Sequence, residues 1–199
     1  MKILLVGATG TVGQAIAKDL KPDHEVIQVG NRGGDFQVDV TDDASVKALF
    51  KSVGTVDAIV SAIGNVHFGP LAEMTTEQFN KGLQHKLLGQ VRLALIGQHH
   101  LSPNGSITLT SGIITDEPIK DGTNATAVNA GVEGFVRSAA TELGSRRINA
   151  VSATVLTEAW EAYKTYFPGF ESVPGSRVAL AYRRSIEGVQ TGRVYRIWG

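Results

Sequence analysis

The chain has 199 residues, 42% of them hydrophobic and 19% charged, which suits one domain with a substantial core. Nineteen basic residues balance nineteen acidic ones, which argues against nucleic acid or an anionic membrane as partner. The absence of cysteine excludes disulfides, thiol chemistry and thiolate metal sites. No apolar run approaches the roughly 20 residues of a membrane span, and the N-terminal one stops at glycines before it could serve as a secretory signal, so a cytoplasmic protein is expected.

Short apolar runs alternate with helical patterns from end to end, the rhythm of βαβ units around a parallel sheet. "KILLVG" (2–7) is a buried strand, followed by a glycine-rich turn and a helix over 11–20 that ends at Pro22. "EVIQVG" (25–30) and the short "DFQVDV" (35–40) are strands two and three. "DASVKALFKSV" (43–53) is a helix capped by Asp42 or Asp43. "VDAIVSAIG" (56–64) is the fourth strand, and a long helix over 76–99 starts from a cap at Thr75 or Thr76. "GSITLTSG" (105–112), a helix over 125–143 and "RINAVSATV" (147–155) follow. A helix near 174–187 and "GRVYRI" (192–197) close the chain. The prediction is an α/β single-domain, doubly wound Rossmann fold: a parallel sheet of six to seven strands with helices on both faces, spanning residues 1–199.

"GATGTVG" (7–13) falls between the first strand and the first helix. Gly7 permits a tight turn, Gly10 a close approach of backbone to phosphate, and Gly13 close helix–strand packing. With Thr9, Thr11 and Val12 they form a loop whose helix N-terminus offers free N–H groups to a pyrophosphate. A P-loop is excluded, because no Lys-Ser/Thr pair follows the glycines. Strand two runs into "VGNRGGD", with Asn31 and Arg32 where NAD-binding folds usually carry an acid for the ribose 2′-hydroxyl. Arg32 presents a planar fork suited to a 2′-phosphate, which favours NADP(H) over NAD(H). A solvated loop arginine, or Asp35 as a displaced ribose acid, are the competing readings. Asp39 and Val40 could hold the adenine edge, and Ala62, Ile63 and Gly64 would line the ribose.

On "GATGTVG", "VDVTD", "SAIG", "GSITLTSG", "AVNAGVEGFVRSAATEL", "RINAVSATV" and "TGRVYRI", in that order and spacing, the chain resembles the short-chain dehydrogenase/reductase family over nearly its whole length. The resemblance implies a nicotinamide cofactor, a small-molecule substrate and association as a homodimer or homotetramer through helices 76–99 and 125–143. It also implies a catalytic set of a helix Asn, a Ser after strand five, and a Tyr and Lys four apart in the next helix. Matched onto this sequence, the Ser falls on Ser111, the helix Asn on Lys86, the Tyr on Ala125 and the Lys on Asn129.

A methyl group at 125 cannot move a proton, and no Tyr lies before Tyr163. The tyrosines at 182 and 195 read as structural. "TEAWEAYKTYFPGF" (157–170) occupies the family's substrate loop. There the aromatics, Trp160, Tyr163 and Tyr166, could line an apolar substrate pocket and Tyr163 or Tyr166 could supply an acid, but burial against the core or in a subunit contact is favoured over acid catalysis. Lys86 either assists the site, holding the ribose or moving a proton after burial lowers its pKa, or snorkels to solvent. The histidines have no partners for a metal site. Two functions remain in view: an NADP(H)-dependent oxidoreductase acting on a carbonyl, alcohol or imine with a non-standard proton donor, or a catalytically inactive NADP(H)-binding module serving as sensor or oligomeric partner.

Overall fold

A computed structural model describes residues 1–199. Its strands are β1 (Lys2–Val6), β2 (Glu25–Gly30), β3 (Phe36–Gln37), β4 (Val56–Ser61), β5 (Leu101–Thr110), β6 (Arg147–Ala153) and β7 (Val194–Ile197). They form one seven-stranded sheet in the order β3-β2-β1-β4-β5-β6-β7, and every pairing is parallel. The central strands read as unbroken apolar runs because both faces are covered. On one face 19 buried residues, Phe50, Leu93 and Val132 among them, pack beneath α2 (Asp43–Val53), α4 (Gly89–Gly97) and α5 (Thr123–Ala139). On the other, 16 buried residues including Ile16, Val178 and Tyr182 pack beneath α1 (Thr11–Leu20) and α7 (Gly175–Glu187). No helix is long and apolar enough to cross a membrane.

Helix boundaries follow from caps. The Asp42 carboxylate accepts from the Ala44 and Ser45 amides to open α2, and Gly54, at φ 74, closes it. Thr75 and Gln78 form a reciprocal capping box at the start of α3 (Thr76–Gly82).

Three segments depart from the sequence reading. Strand three has two residues where six are expected. Gly33 and Gly34 turn with φ 150 and 93, and the Asp35 carboxylate then accepts from the Gln28 amide at 2.8 Å, folding the chain back on β2. The long helix of 76–99 is interrupted by a π-helical stretch, Leu83–Leu88, between α3 and α4, in which the Gly89 N–H bonds the Gln84 carbonyl five residues back. The segment 157–170, read from the sequence as a loop, holds a short helix, α6 (Trp160–Tyr163), between two 3-10 turns.

Candidate functional site

Strand order reverses between β1 and β4, and an open α/β sheet places its ligand crevice at the carboxyl ends of such a pair. Two cavities meet there, sharing Gly10, Ala62 and Gly64 in their walls.

The first, of about 320 Å³, is lined by the glycine turn (Gly7, Thr9, Gly10), by Asn31, by Asp39 and Val40, and by Ala62, Ile63 and Gly64. Gly7 has φ 89, and a Cβ there would lie 2.7 Å from the Ala62 backbone. At Gly13 a Cβ would lie 2.1 Å from the Gly7 carbonyl, so α1 can approach β1 this closely only with glycine. No side chain caps α1, whose N-cap is Gly10. The first-turn N–H groups of Thr11, Val12 and Gly13 therefore remain free for an anionic ligand.

The far end of this cavity matches the sequence reading in part. Asn31 lines it, while Arg32, the next residue in the chain, is exposed and makes no hydrogen bond or ion pair. Asp35 is committed to the Gln28 amide, an arrangement that leaves its carboxylate on β2 and not on a ribose. The Thr41 hydroxyl, at 2.6 Å, and the Thr41 amide, at 2.8 Å, hold the Asp39 carboxyl below the usual carboxylate range.

The second cavity, of about 470 Å³, is mainly apolar. Phe68, Ile113, Ile114, Leu156 and Phe167 line it with Gly112, Thr154 and Tyr163, and its one amide is that of Asn129. Asn129 is 5% exposed, and its Oδ1 has no hydrogen-bond partner. A buried acceptor left open at a cavity wall needs a donor from whatever enters.

Lys86 lies in the π-helical stretch, 8% exposed, behind Gly64, a residue in the walls of both cavities. A Cβ on Gly64 would sit 2.8 Å from its Nζ, and that ammonium donates to the Ile63 carbonyl at 3.4 Å. Burial lowers its pKa from 10.5 to about 8. The snorkelling alternative does not hold, since the side chain points inward. Gln90 braces this distorted turn: its amide donates to the Lys86 and Thr110 carbonyls at 2.9 Å and accepts from the Thr110 N–H at 2.8 Å.

Ser111 is turned from the second cavity. Its hydroxyl donates to the Glu133 carboxylate at 2.7 Å, and Glu133, 1% exposed, also accepts from Arg137 at 2.8 Å. Ala125, 1% exposed, packs in a small cluster with Ile113, Ile114 and Phe167, so apolar packing occupies the tyrosine position. In the segment 157–170 Tyr163 reaches the cavity, Tyr166 packs on Phe68 with ring centroids 5.3 Å apart, and Trp160 packs against the Ala125 cluster. Tyr182 is fully buried and bonded to the Thr110 hydroxyl at 2.6 Å.

Sequence reasoning missed Glu133, the Phe68–Phe167 wall and Asn124. The buried Asn124 accepts from the His67 amide at 2.9 Å and donates to the Phe79 carbonyl at 2.7 Å, tying α5 to α3 and to the loop after β4. An acid inside a helix whose neighbours are small and apolar was the available signal for Glu133.

A family described as enoyl-(acyl carrier protein) reductase matches residues 9–193. The chain is 30% identical over 162 residues to hydroxynaphthalene reductase arp2 of Aspergillus fumigatus, a match covering 77% of this chain and 59% of that protein. It is 32% identical over 161 residues to the 3-oxoacyl-[acyl-carrier-protein] reductase MabA of Mycobacterium tuberculosis, covering 74% and 65%. The chain thus spans less than two thirds of the length of these relatives. Among solved structures, the protein lin1944 of Listeria innocua superposes with a TM-score of 0.98 at 44% identity over the whole of both chains. A small-chain dehydrogenase solved in complex with NADPH superposes at 0.89, with 25% identity over 99% of this chain and 96% of that one.

Proposed function

The chain belongs to the short-chain dehydrogenase/reductase family, and on that premise we propose that it is an NADP(H)-dependent oxidoreductase acting on a small, mainly apolar carbonyl, alcohol or imine. The observation that carries this reading is the continuity of the two cavities past Gly10, Ala62 and Gly64: a glycine-walled half beside free helix N–H groups opens into an apolar half.

The residues fit a dinucleotide. The N–H groups of Thr11, Val12 and Gly13 would take the pyrophosphate. Asn31 and Arg32 would take the 2′-phosphate, and Asp39 and Val40 the adenine edge. The open Oδ1 of Asn129 suits a ribose hydroxyl, a donor that such an acceptor requires. A nicotinamide, when bound, supplies or accepts the hydride.

The proton supply is the non-standard part. Ala125 offers none, and Ser111 is held by Glu133. Lys86, with a pKa of about 8 beside Gly64, is near the value at which a group both holds and releases a proton at neutral pH. Tyr163, in the wall of the apolar cavity, is a further group that could give a proton to the substrate. General acid catalysis contributes about 10²–10⁴-fold, so a substrate already electrophilic, such as an imine or an activated alkene, suits this site better than an unactivated ketone.

The alternative is an NADP(H)-binding module without turnover, favoured by the packing of Ala125 against Ile113, Ile114 and Phe167. Titration with NADPH and NADH, followed by NADPH oxidation assays on aldehydes, ketones, quinones and imines, separates the readings. Turnover on any of these substrates supports the enzyme, tight binding without turnover supports the module, and no binding of either nucleotide removes both.

We also propose a homodimer or homotetramer through α4 and α5. Leu88 and Leu95 are exposed on that side, and Gly134 faces open space, whereas Gly131 packs on Leu87 within the subunit. Sedimentation of the protein and of Leu95→Glu tests it; identical behaviour as monomers ends the proposal.

A further inference from the structure

Four arginines that the oxidoreductase reading leaves unused surround one groove on the outer side of the sheet. The groove, of about 420 Å³, runs between α7 and the edge strand β7, and its walls carry Arg177, Arg184, Arg193 and Arg196 with Gln190 and Tyr195. In a chain of zero formal net charge, four cations around one groove are a local arrangement and no reflection of the average. Arg196 faces the carboxylate of Asp116 at 3.3 Å, and Arg177 donates to the Gly199 oxygen at 2.6 Å, while Arg184 and Arg193 are in no ion pair.

Two of the four guanidiniums are held by aromatic rings. The Arg184 guanidinium lies over the Tyr195 ring at 5.1 Å and donates to the Gln190 side chain at 3.2 Å, while Arg196 lies over Trp198 at 5.3 Å. The Tyr195 hydroxyl donates to the same Gln190 oxygen at 3.1 Å, which leaves the Gln190 amide nitrogen as a free donor. Stacked guanidiniums keep their N–H edges available as flat forks. Apart from the engaged Asp116, what the polar side chains of the lining offer an incoming molecule is donors and positive charge. The charged groups acting on the buried Tyr195 phenol, namely Arg184, Arg147 and Arg193, are likewise all cationic.

We infer that this groove is a second ligand site, separate from the cofactor cavities, that binds a small molecule bearing two or more phosphoryl charges. Guanidinium forks pair with phosphoryl oxygens two N–H bonds at a time, so an acceptor-only polyanion matches the arginines that rim this groove, whose remaining walls include the apolar Leu180, Ala181, Val194 and Ile197. The inference does not depend on the oxidoreductase reading.

The test uses inorganic pyrophosphate as probe, titrated by calorimetry at fixed ionic strength into the full chain and into the double variant Arg184→Gln/Arg193→Gln. NADPH is titrated separately into both proteins, so that failure of the cofactor reading is seen on its own. Pyrophosphate binding that weakens about tenfold or more in the variant, with NADPH binding the same in both proteins, is the expected result. No pyrophosphate binding to the full chain, or equal binding to both proteins, overturns the inference, the second result pointing to the glycine loop. A variant that binds as the parent does but self-associates also overturns it, because the arginines would then only guard the edge of β7. Amide shifts of the parent protein give a readout that needs no variant. Perturbations centred on residues 190–196 support the site, and perturbations centred on 7–13 overturn it.

Discussion

The Ser111 hydroxyl donates to the Glu133 carboxylate at 2.7 Å across the gap between β5 and α5, and both residues are buried. The bond fixes Ser111 away from the apolar cavity and gives the buried carboxylate one of its two partners, the other being Arg137. Replacing Glu133 by Leu removes the charge and leaves the buried Ser111 hydroxyl only its longer 3.3 Å bond to Thr115. The unfolding free energy should fall by about 1–3 kcal/mol in urea titrations; an unchanged midpoint would mean that the pair contributes nothing to the fold.

Lys86 makes stability depend on pH in a set direction. Its folded pKa of about 8 lies below the ordinary 10.5, so between those values the unfolded chain holds more protons than the folded one. The parent should therefore gain stability relative to Lys86→Met as pH rises from about 8 to 10.5. The gap between the two pKa values corresponds to about 3 kcal/mol. Below pH 8 the variant should be the more stable protein. A stability difference flat across this range would contradict a buried ammonium.

Gly64 separates fold from function. A Cβ there would sit 2.8 Å from the Lys86 Nζ and 3.1 Å from its Cδ, in the wall shared by both cavities. The end of a flexible side chain can move aside, so Gly64→Ala should melt within a few degrees of the parent while NADPH binding weakens severalfold. Loss of stability without change in binding would reverse that assignment.

Restoring the family's tyrosine should not restore its chemistry by itself. Ala125 is packed among Ile113, Ile114 and Phe167, and a phenol ring exceeds the space left by a methyl group. Ala125→Tyr should cost about 1–3 kcal/mol through overpacking, visible in thermal melts, with no gain in turnover. A stable variant with faster ketone reduction would show that the cavity accommodates the ring.

Arg32 is exposed and engages nothing within the chain. Arg32→Ala should leave stability within about 0.5 kcal/mol and weaken NADPH by about tenfold or more, with NADH unaffected. Equal weakening of both nucleotides would remove Arg32 from the 2′-phosphate.

The residues tell more about the frame than about the aim of individual side chains. Apolar runs such as "KILLV" and the glycines at 7, 10 and 13 have one economical reading, because only a buried parallel strand feeding a helix uses them together. Asp35 is a different case. From sequence it is as good a ribose acid as any, and only the turn at Gly33 and Gly34 returns it to the Gln28 amide. Ser111 likewise follows strand five as anticipated, yet its direction is decided by Glu133, 22 residues away. The apolar wall brings Phe68 and Phe167 together from loops almost a hundred residues apart, and no local periodicity carries that contact.

The π-helical stretch gives the site an unusual kind of adjustability. Each residue of an α-helix advances the chain by about 100° around the axis, so a wide turn such as Leu83–Leu88 acts as a one-residue insertion that resets the phase of everything after it. Excising one residue from this turn would restore ordinary winding and swing one half of the long helix about its axis relative to the other. Lys86 would lose its seat against Gly64, and Gln90 its hold on Thr110. For this crevice, chain length between Gly82 and Gly89 is a coarser dial than any side-chain exchange, and indels there are the changes to which its chemistry is most exposed.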